Sequence, residues 1–598
     1  MLFSLSHGMH VIQDMPDQDA GQGIRSSRSA GDGKKSSDKA GVIPIDAVVE
    51  GGDASRTVSR SRGWGDGADS TNGAFRYMFR DASGIPVDPQ TLSALDALAD
   101  SMATEAPGDS ESALPPILTY FGQFIDHDIT ANTDREIEGL SVISGEFEPV
   151  PRDNVEAGIS NLRDGSLGLD SLYGDKPGQG PFATKLAGLM RHPTLTNKMR
   201  LGTVADSGDG RPPLPADPAA DLLRLGFLLD RGEVTQAELE VLNPDLRANF
   251  VDDSGPIRTR AILGDGRNDE NLLVAQLHVA FLRLHNKLAD VTDSFEDARR
   301  LTQFHYQWLV LNEYLPAICA GDVADEVLAK GAPLYADFHD AHPSADPAQM
   351  PMPLEFSIAA FRFGHSMVRG GYDHNRFFGT AVEGSNQILP FATFRQLFEF
   401  TGNGRMPSPL TADPKSSLPG NWVIEWDRMV HAETRNRSSR KIDTHLAEPL
   451  NDLLNEPAEP AVMKKLAQRN LRRGYRLNLP SAQSLAEAIN RTGLYRPIPI
   501  LSPEQVREGR DFMQAAGLDT ATPLWFYVLR EAELTGGHHL GALGSHLVAN
   551  TLAGLVMRDS TSYWHATIDG NRWSPARFQP SQPIDSLKAM LRFTGLLD

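Results

Sequence analysis

The sequence predicts a mainly α-helical protein whose helices are joined by long irregular segments. Apolar residues recur at helical spacing over 270–291 and again over 298–319. The alternation typical of strands is sparse, and connections such as 211–221 ("RPPLPADPAAD") are rich in proline. Because long loops in a folded domain are usually functional, we expect ligand-binding residues on or beside these connections.

Composition divides the chain into a polar arm and one globular domain. Residues 1–70 are rich in glycine, serine and charged side chains. They bury too little apolar surface to fold alone, so we expect a flexible arm that lies over the main body. Residues 71–598 contain neither an internal repeat nor a clear linker and are expected to form one domain. Further helices are expected at 461–475 and 484–492.

Net charge and composition restrict the partners of the chain. Among 598 residues, 78 are acidic and 57 basic, a formal net charge of −21 that argues against nucleic acid or an anionic membrane surface. No apolar run reaches the roughly 18 residues of a membrane span. The N-terminus lacks a standard secretory signal, so we expect either the cytoplasm or signal-independent secretion. The one cysteine, Cys319, lies in an apolar run and is expected in the core.

Polar residues stand at helical spacing in four segments of the chain. In "FGQFIDHDIT" (121–130), Gln123, Asp126 and His127 would share one helix face, while Asp128 would point about 100° further round. The other three pairs, each three residues apart, are Arg267 with Glu270, Arg362 with His365, and Asn470 with Arg473. Taken singly, each pair is explained equally well by a core histidine, a solvated arginine or a charge at a helix end.

Taken in order along the chain, these motifs resemble those of the animal-type haem peroxidases in the peroxidase–cyclooxygenase superfamily, in a bacterial-type member. "FGQFIDHDIT" resembles the distal-helix motif, and "AFRFGHS" (360–366) resembles the proximal-histidine motif. The other matching stretches are "RNDE" (267–270), "EYLP" (313–316), "RNLRRG" (469–474) and residues 540–564. The resemblance covers about residues 70–598 and implies a helical core that holds haem b.

The resemblance implies that three residues act on hydrogen peroxide. His127 matches the distal histidine, which takes a proton from the peroxide and returns it, and an imidazole titrating near neutrality suits that exchange. Arg267 matches the arginine that stabilises the leaving hydroxide. Gln123 matches the glutamine that holds water or halide. The implied reaction oxidises halide, pseudohalide or a small aromatic donor through a ferryl porphyrin-radical intermediate.

The resemblance also implies which residues hold the haem. His365 matches the axial ligand of the iron, and the neutral amide of Asn470 matches the acceptor of its ring N–H. The residues that match groups at the haem edge are Arg362 and Arg473, which face the propionates, and Asp126 and Glu270, which form ester bonds to haem methyl groups. Apart from the resemblance, the two carboxylates are equally well interpreted as partners of Arg267 or as helix caps. Asn271 stands where a sulfonium link would need methionine.

The same family binds calcium through the aspartate that follows the distal histidine, here Asp128, together with a separate loop. The matching loop is "RDGSLGLDSLYG" (163–174), and its ligand positions are Asp164, Ser166, Gly168 and Asp170. Glycine replaces the usual aspartate at Gly168, which removes one carboxylate from an ion that needs six to eight oxygens. We therefore expect either a calcium site or a solvated acidic turn.

Three other functions are open at this stage. A fatty-acid dioxygenase of the same superfamily would need a tyrosine at the position of Arg362, and residues 356–366 contain no tyrosine. A non-haem metal hydrolase could use His538, His539 and His546, although their spacing matches no known ligand pattern. A non-catalytic adhesion protein could keep the fold without activity. The presence of all three residues matched to the peroxide side, Gln123, His127 and Arg267, argues against this function. The electron donor and the oligomeric state stay open.

Overall fold

The computed structural model describes part of the N-terminus and most of the chain beyond it. The described residues are 4–6, 9–10, 73–104, 110–131, 148–161, 163–174, 188–207, 217–238, 256–344, 349–382, 384, 386–402, 417–432, 437–454 and 461–598. Apart from 4–6 and 9–10, the predicted arm over 1–70 lies outside them. Its flexibility and the domain division at residue 70 therefore stay predictions.

The predicted mainly α fold is confirmed. The α-helices are α1 Thr91–Met102, α2 Pro116–Ile129, α3 Arg152–Gly158, α4 Asp170–Tyr173, α5 Leu225–Asp230, α6 Pro256–Thr259, α7 Leu272–Leu288, α8 Phe295–Leu309, α9 Leu315–Ile318 and α10 Gly321–Lys330. They continue as α11 Pro333–Ala341, α12 Phe394–Glu399, α13 Leu466–Arg476, α14 Ala482–Thr492, α15 Pro503–Arg507, α16 Phe512–Ala515, α17 Leu524–Leu534, α18 Ala542–Arg558, α19 Pro575–Phe578 and α20 Leu587–Phe593. No helix in the described ranges is long and apolar enough to cross a membrane.

Tighter and wider helical turns complete the helical content. The 3₁₀ segments are Gly266–Asp269, Ala360–His365, Gly420–Trp422, Trp426–Arg428, Glu448–Asn451 and Ala461–Met463, and the π-helical turns are Val310–Tyr314 and Glu355–Ala359. Such turns often mark functional positions inside a helical protein.

The strands of the described residues are short. They are β1 Ser4–Ser6, β2 Met9–His10, β3 Gly73–Arg76, β4 Ser160–Asn161, β5 Met352–Pro353, β6 Gly371–Tyr372, β7 Ala392–Thr393, β8 Thr567–Ile568 and β9 Asn571–Arg572. β3 is central in a three-stranded sheet: it pairs antiparallel with β4, where Gly73 faces Asn161, and parallel with β5, where Phe75 faces Met352. The pairs β1–β2, β6–β7 and β8–β9 are antiparallel ribbons.

Helices α2, α7 and α8 form the centre of the core through stacked aromatic rings. Phe281 of α7 lies parallel to Phe124 of α2 at a centroid distance of 4.8 Å and meets Tyr306 of α8 edge-on at 5.8 Å. Proline at the first position of α2 favours its start, and the Asn271 side chain caps α7 by accepting from Val274 N at 3.0 Å. This packing fixes which face of α2 turns away from the core rings.

The predicted helix over 298–319 is interrupted. It consists of α8, the π-helical turn at 310–314 and α9. The turn carries Tyr314 against α2, where a Cβ added at Gly122 would lie 2.3 Å from Tyr314 Oη. Position 122 therefore requires glycine for this close approach, not for an unusual backbone angle.

The segment that carries Arg362 and His365 differs from the regular helix that their spacing suggested. It is a π-helical turn followed by a 3₁₀ helix over 360–365. A 3₁₀ helix has three residues per turn, so residues three apart still lie one above the other. The two side chains consequently share a face. Helices α13 and α14 agree with the predicted segments 461–475 and 484–492 apart from the 3₁₀ turn at 461–463.

Candidate active site

One large cavity collects side chains from four distant parts of the chain. It contains about 1490 Å³ of space not filled by atoms, including its open mouth. The predicted site residues that line it are Gln123, Asp126 and His127 from α2, Arg267 from the turn before α7, Arg362 and His365 from the 3₁₀ segment, and Asn470 and Arg473 from α13. Glu270 does not line it. A ligand of cofactor size fits a space of this order.

His127 is buried, and a polar side chain lies near each of its ring nitrogens. It is 4% exposed, its Nδ1 lies 2.8 Å from Oδ1 of Asn268, and its Nε2 lies 3.8 Å from Oε1 of Glu270. Nδ1 is the nitrogen engaged by a hydrogen bond to the protein. Nε2 is therefore the nitrogen available for proton exchange in the cavity.

Arg267 is fixed by a buried carboxylate. Its Nε lies 3.1 Å and its Nη2 2.7 Å from the carboxylate oxygens of Asp265, and Nη2 also donates to the carbonyl of His127 at 3.1 Å. Arg163 donates to the same carboxylate at 2.7 Å. Although burial opposes ionisation, these two guanidinium groups hold the pKa of Asp265 well below its usual range. The guanidinium of Arg267 is therefore a fixed positive charge beside His127.

Gln123 lines the cavity and is hydrogen-bonded on both sides of its amide. Its Nε2 donates to Oε1 of Glu270, and its Oε1 accepts from Asn271 Nδ2 at 3.0 Å. Burial raises the pKa of the fully buried Glu270 to about 8, so its carboxyl group is mostly protonated at neutral pH. Asp126, in contrast, lines the cavity and accepts from Thr130 Oγ1 at 3.0 Å. The two carboxyl groups matched to ester links thus occupy different surroundings.

His365 is half-buried and paired with an amide. Its Nδ1 lies 3.0 Å from Nδ2 of Asn470, which is 2% exposed. An imidazole that binds a metal through Nε2 carries its proton on Nδ1, and a half-turn of the amide would present the oxygen as acceptor. Trp525 supports this segment because its ring lies 6.3 Å from that of His365 and its Nε1 donates to the carbonyl of Arg362 at 3.1 Å.

Arginines line one part of the cavity. Arg362 donates through Nε to the carbonyl of Ser357 at 3.1 Å, and Arg473 lines the cavity from α13. Sequence reasoning missed Arg469, which also lines the cavity, is 4% exposed and donates to the carbonyl of Met463 at 3.2 Å. Its spacing of four residues from Arg473 was the available signal. An imidazole with an amide partner beside a cationic wall fits haem, whose propionates are anionic.

Residues 232–474 match the family model of the animal haem peroxidases. Over this segment, about two fifths of its length, the chain is similar to the animal haem peroxidases.

Two curated relatives and one solved structure also resemble the chain. The chain is 29% identical to a chorion peroxidase of Drosophila melanogaster over 55% of this chain and 37% of that protein. It is 26% identical to a peroxidase-like protein of Margaritifera margaritifera over 43% of this chain and 32% of that protein. It therefore aligns with about a third of the length of each of these curated relatives. Peroxidase A from Dictyostelium discoideum shares the fold, with a TM-score of 0.50 and 17% identity over 88% of this chain and 94% of that one.

Hydrogen bonds close the loop that the sequence predicted to bind calcium. Both oxygens of Asp128 accept backbone N–H groups at 3.1 Å, one from Leu169 and one from Ser171. The Gly168 carbonyl accepts from the amide of Gln303. Within the described ranges, no three histidine, cysteine or acidic side chains converge closely enough to hold a metal ion. N–H donors thus occupy oxygens that a cation would need, and the arrangement does not fit the calcium ion predicted for Asp128, Asp164, Ser166, Gly168 and Asp170.

The three histidines of the metal-hydrolase alternative have separate partners. Nδ1 of His538 accepts from Ala113 N at 3.4 Å, Nδ1 of His539 pairs with the Leu540 carbonyl at 2.8 Å, and His546 lies buried against Tyr495. They do not face a common point. Cys319 is buried as predicted.

Two tyrosines line the cavity, and the sequence analysis assigned a role to neither. Tyr120 of α2 and Tyr314 of the π-helical turn both contribute to its wall. Tyr120 meets Tyr372 edge-on at 5.6 Å, and burial raises the pKa of both cavity tyrosines well above the usual value. Although residues 356–366 contain no tyrosine, tertiary packing brings phenols from other segments into this cavity.

Proposed function

We propose that this chain is a haem-dependent peroxidase that reduces hydrogen peroxide and oxidises a halide, pseudohalide or small aromatic donor. The observation that supports this most is the pair of differently supported histidines in one cavity. His365 pairs with a neutral amide, as a metal ligand does, whereas His127 lies beside a fixed guanidinium and a carboxyl group. One imidazole suits iron, and the other suits proton transfer.

His365 would hold the haem iron, with Arg362 and Arg473 toward the propionates. Bound there, haem supplies a redox-active iron that accepts oxidising equivalents from peroxide and passes them to the donor. Nε2 of His127 takes the proton from one peroxide oxygen and returns it to the other, which leaves as water. Arg267 stabilises the negative charge on that leaving oxygen, and Asp265 keeps its guanidinium oriented. Gln123 positions water or a halide at the same wall.

The test is peroxide-dependent turnover of the haem-loaded protein with bromide, thiocyanate and a phenol as donors. We expect His127→Ala to lower the rate with peroxide by about 10²- to 10⁴-fold, which is the usual contribution of a general base. Haem loading should be unchanged in that variant. Wild-type protein that binds haem and turns over no donor would contradict the proposal and would favour the non-catalytic adhesion protein.

A fatty-acid dioxygenase is the second candidate, and the phenols of Tyr120 and Tyr314 in the cavity wall are the observation that favours it. Steady oxygen uptake with a polyunsaturated fatty acid and no added peroxide would establish it. Uptake abolished by Tyr120→Phe or Tyr314→Phe would identify the phenol involved. No uptake in wild-type protein excludes it.

Covalent haem attachment through Asp126 is part of the proposal, because this carboxyl group lines the cavity and Glu270 does not. Denaturation in acidified organic solvent should leave haem on the wild-type chain and release it from Asp126→Val. Glu270→Gln should retain it, since that side chain does not line the cavity. Full extraction from the wild type contradicts any ester link.

A further inference from the structure

A chain of buried side chains extends from His127 away from the cavity. Nδ1 of His127 lies 2.8 Å from Oδ1 of Asn268, and Nδ2 of Asn268 lies 3.1 Å from Nδ1 of His278 on α7. The exposures of the three residues are 4%, 0% and 1%, in that order. Because solvent is excluded, each of these polar atoms depends on its protein partner.

The direction of these hydrogen bonds determines where the His127 proton lies. An amide has a donor and an acceptor end, so Asn268 cannot accept from both histidines. Burial lowers the pKa of His278 to about 3, which keeps this ring neutral. The Nδ2 end of Asn268 faces Nδ1 of His278 and can only donate, so the lone pair of His278 is at Nδ1. Nδ2 of Asn268 then donates to His278, and Oδ1 is left to accept from Nδ1–H of His127. The lone pair of His127 is therefore at Nε2.

We propose that Asn268 and His278 are positioning residues that hold His127 in the tautomer whose Nε2 can accept a proton. This inference rests on the proposed peroxidase function, because it assigns the orientation of the same general base. The reverse orientation of Asn268 would place the His127 proton on Nε2, where the ring could not act as a base.

With His127 in this tautomer, each proton in the transfer has a defined donor and acceptor. The peroxide proton forms a bond to Nε2, which makes His127 an imidazolium with both nitrogens protonated. Oδ1 of Asn268 accepts from Nδ1–H throughout and stabilises that cation. The Nε2 proton then moves to the departing oxygen, and His127 returns to its starting tautomer.

Several charged or titratable groups face His127 and bear on its titration. Glu270 lies 3.8 Å from Nε2, and Arg267 donates to the backbone carbonyl of His127. Asp265 lies behind Arg267, and Asp126 is the preceding residue on α2. The positive guanidinium opposes protonation of His127. The neutral amide of Asn268 orients the ring without adding the charge that a carboxylate would bring.

The experiment uses full-length haem-loaded protein with substitutions along this chain. Asn268→Leu removes both hydrogen bonds, Asn268→Asp keeps an oxygen toward Nδ1–H, and His278→Leu removes only the group that orients the amide. The matched control is His285→Leu. That residue is a buried neutral histidine on the same helix, and it pairs with Tyr173 and the Asn197 carbonyl instead. Circular dichroism and haem content establish that each variant is folded and loaded.

Two readouts are measured against pH: the rate of the haem absorption change on adding peroxide, and the association rate of cyanide. Hydrogen cyanide must lose a proton to bind iron, so it tests the base without turnover. We expect Asn268→Leu to slow both by about 10- to 100-fold, as loss of an orienting partner usually does. His278→Leu should fall between Asn268→Leu and wild type, and His285→Leu should match wild type.

Asn268→Asp should restore most of both rates and move their acid limb to higher pH, because a carboxylate stabilises the imidazolium. Wild-type rates in a folded, loaded Asn268→Leu variant would overturn the inference. Failure of Asn268→Asp to restore the rate, or equal loss in His285→Leu, would overturn it by indicating a merely structural role. If wild-type protein does not react with peroxide, the proposed function fails, and cyanide association still decides the positioning role.

Discussion

Asp265→Asn tests the two buried ion pairs that Asp265 forms with Arg163 and Arg267. Asp265 is fully buried, and guanidinium groups of Arg163 and Arg267 each lie 2.7 Å from its Oδ2. Removing one member of a buried ion pair typically costs about 3–5 kcal/mol, because the remaining charge stays buried without compensation. Both arginines keep carbonyl partners, Gly264 for Arg163 and His127 for Arg267. We therefore expect Asp265→Asn to lower the free energy of unfolding by an amount near the lower end of this range, about 3 kcal/mol.

Urea unfolding of the haem-free protein, followed by tryptophan fluorescence, measures that loss. The matched control is Glu399→Gln, which removes an exposed i,i+4 pair with Arg395 and should cost no more than about 0.5 kcal/mol. Asp265→Asn should also slow the reaction with peroxide, since Arg267 loses its orienting carboxylate. A loss no larger than that of the control would contradict the assignment of Asp265 as the counter-charge of both guanidinium groups.

Three further outcomes are expected. Glu270 stabilises the folded state in its protonated form, so its contribution to the free energy of unfolding is complete below its unfolded pKa and is lost as pH rises through about 8. In melting curves of haem-free protein, the stability advantage of Glu270→Gln over wild type should therefore grow as pH rises from the unfolded pKa to about 8. A difference that does not change with pH would contradict this prediction. Chelation of divalent cations should leave the melting temperature unchanged, because hydrogen bonds close the loop at Asp128, and a fall reversed by added calcium would establish the calcium site after all. Gly122→Ala should destabilise the protein by about 1–3 kcal/mol through overlap with Tyr314 Oη, and by less in a Tyr314→Phe background; equal costs in both backgrounds would show that the hydroxyl is not the contact.

Helix positions were largely predictable because apolar periodicity is local information. The spacing over 270–291 predicts α7, and the polar pair Asn470 and Arg473 lies on α13 as expected. The segment around His365 was predicted with the right face and the wrong helix type. Whether a turn is α, 3₁₀ or π depends on how the neighbouring elements pack, which the local sequence does not specify.

Several residues at or behind the candidate site were not predictable from spacing. Asn268 and His278 meet only because the turn before α7 folds back beside that helix. A lone histidine in an apolar helix, as at His278, is usually a core residue, so it gave little signal. Glu270 is a second case: the resemblance matched it to the haem edge, whereas in the structure it is buried, accepts from Gln123 and does not line the cavity. Both outcomes are set by contacts between distant segments.

The proposal depends first on His365 as the iron ligand in the cavity that also contains His127. Haem titration of the purified chain, followed by absorption and electron paramagnetic resonance spectroscopy, measures this. We expect one haem per chain with a single axial histidine, loss of that ligation in His365→Ala, and unchanged ligation in His127→Ala. A His365→Ala protein that binds haem with the wild-type spectrum, or a His127→Ala protein that loses the axial ligand, would contradict the assignment of the two histidines.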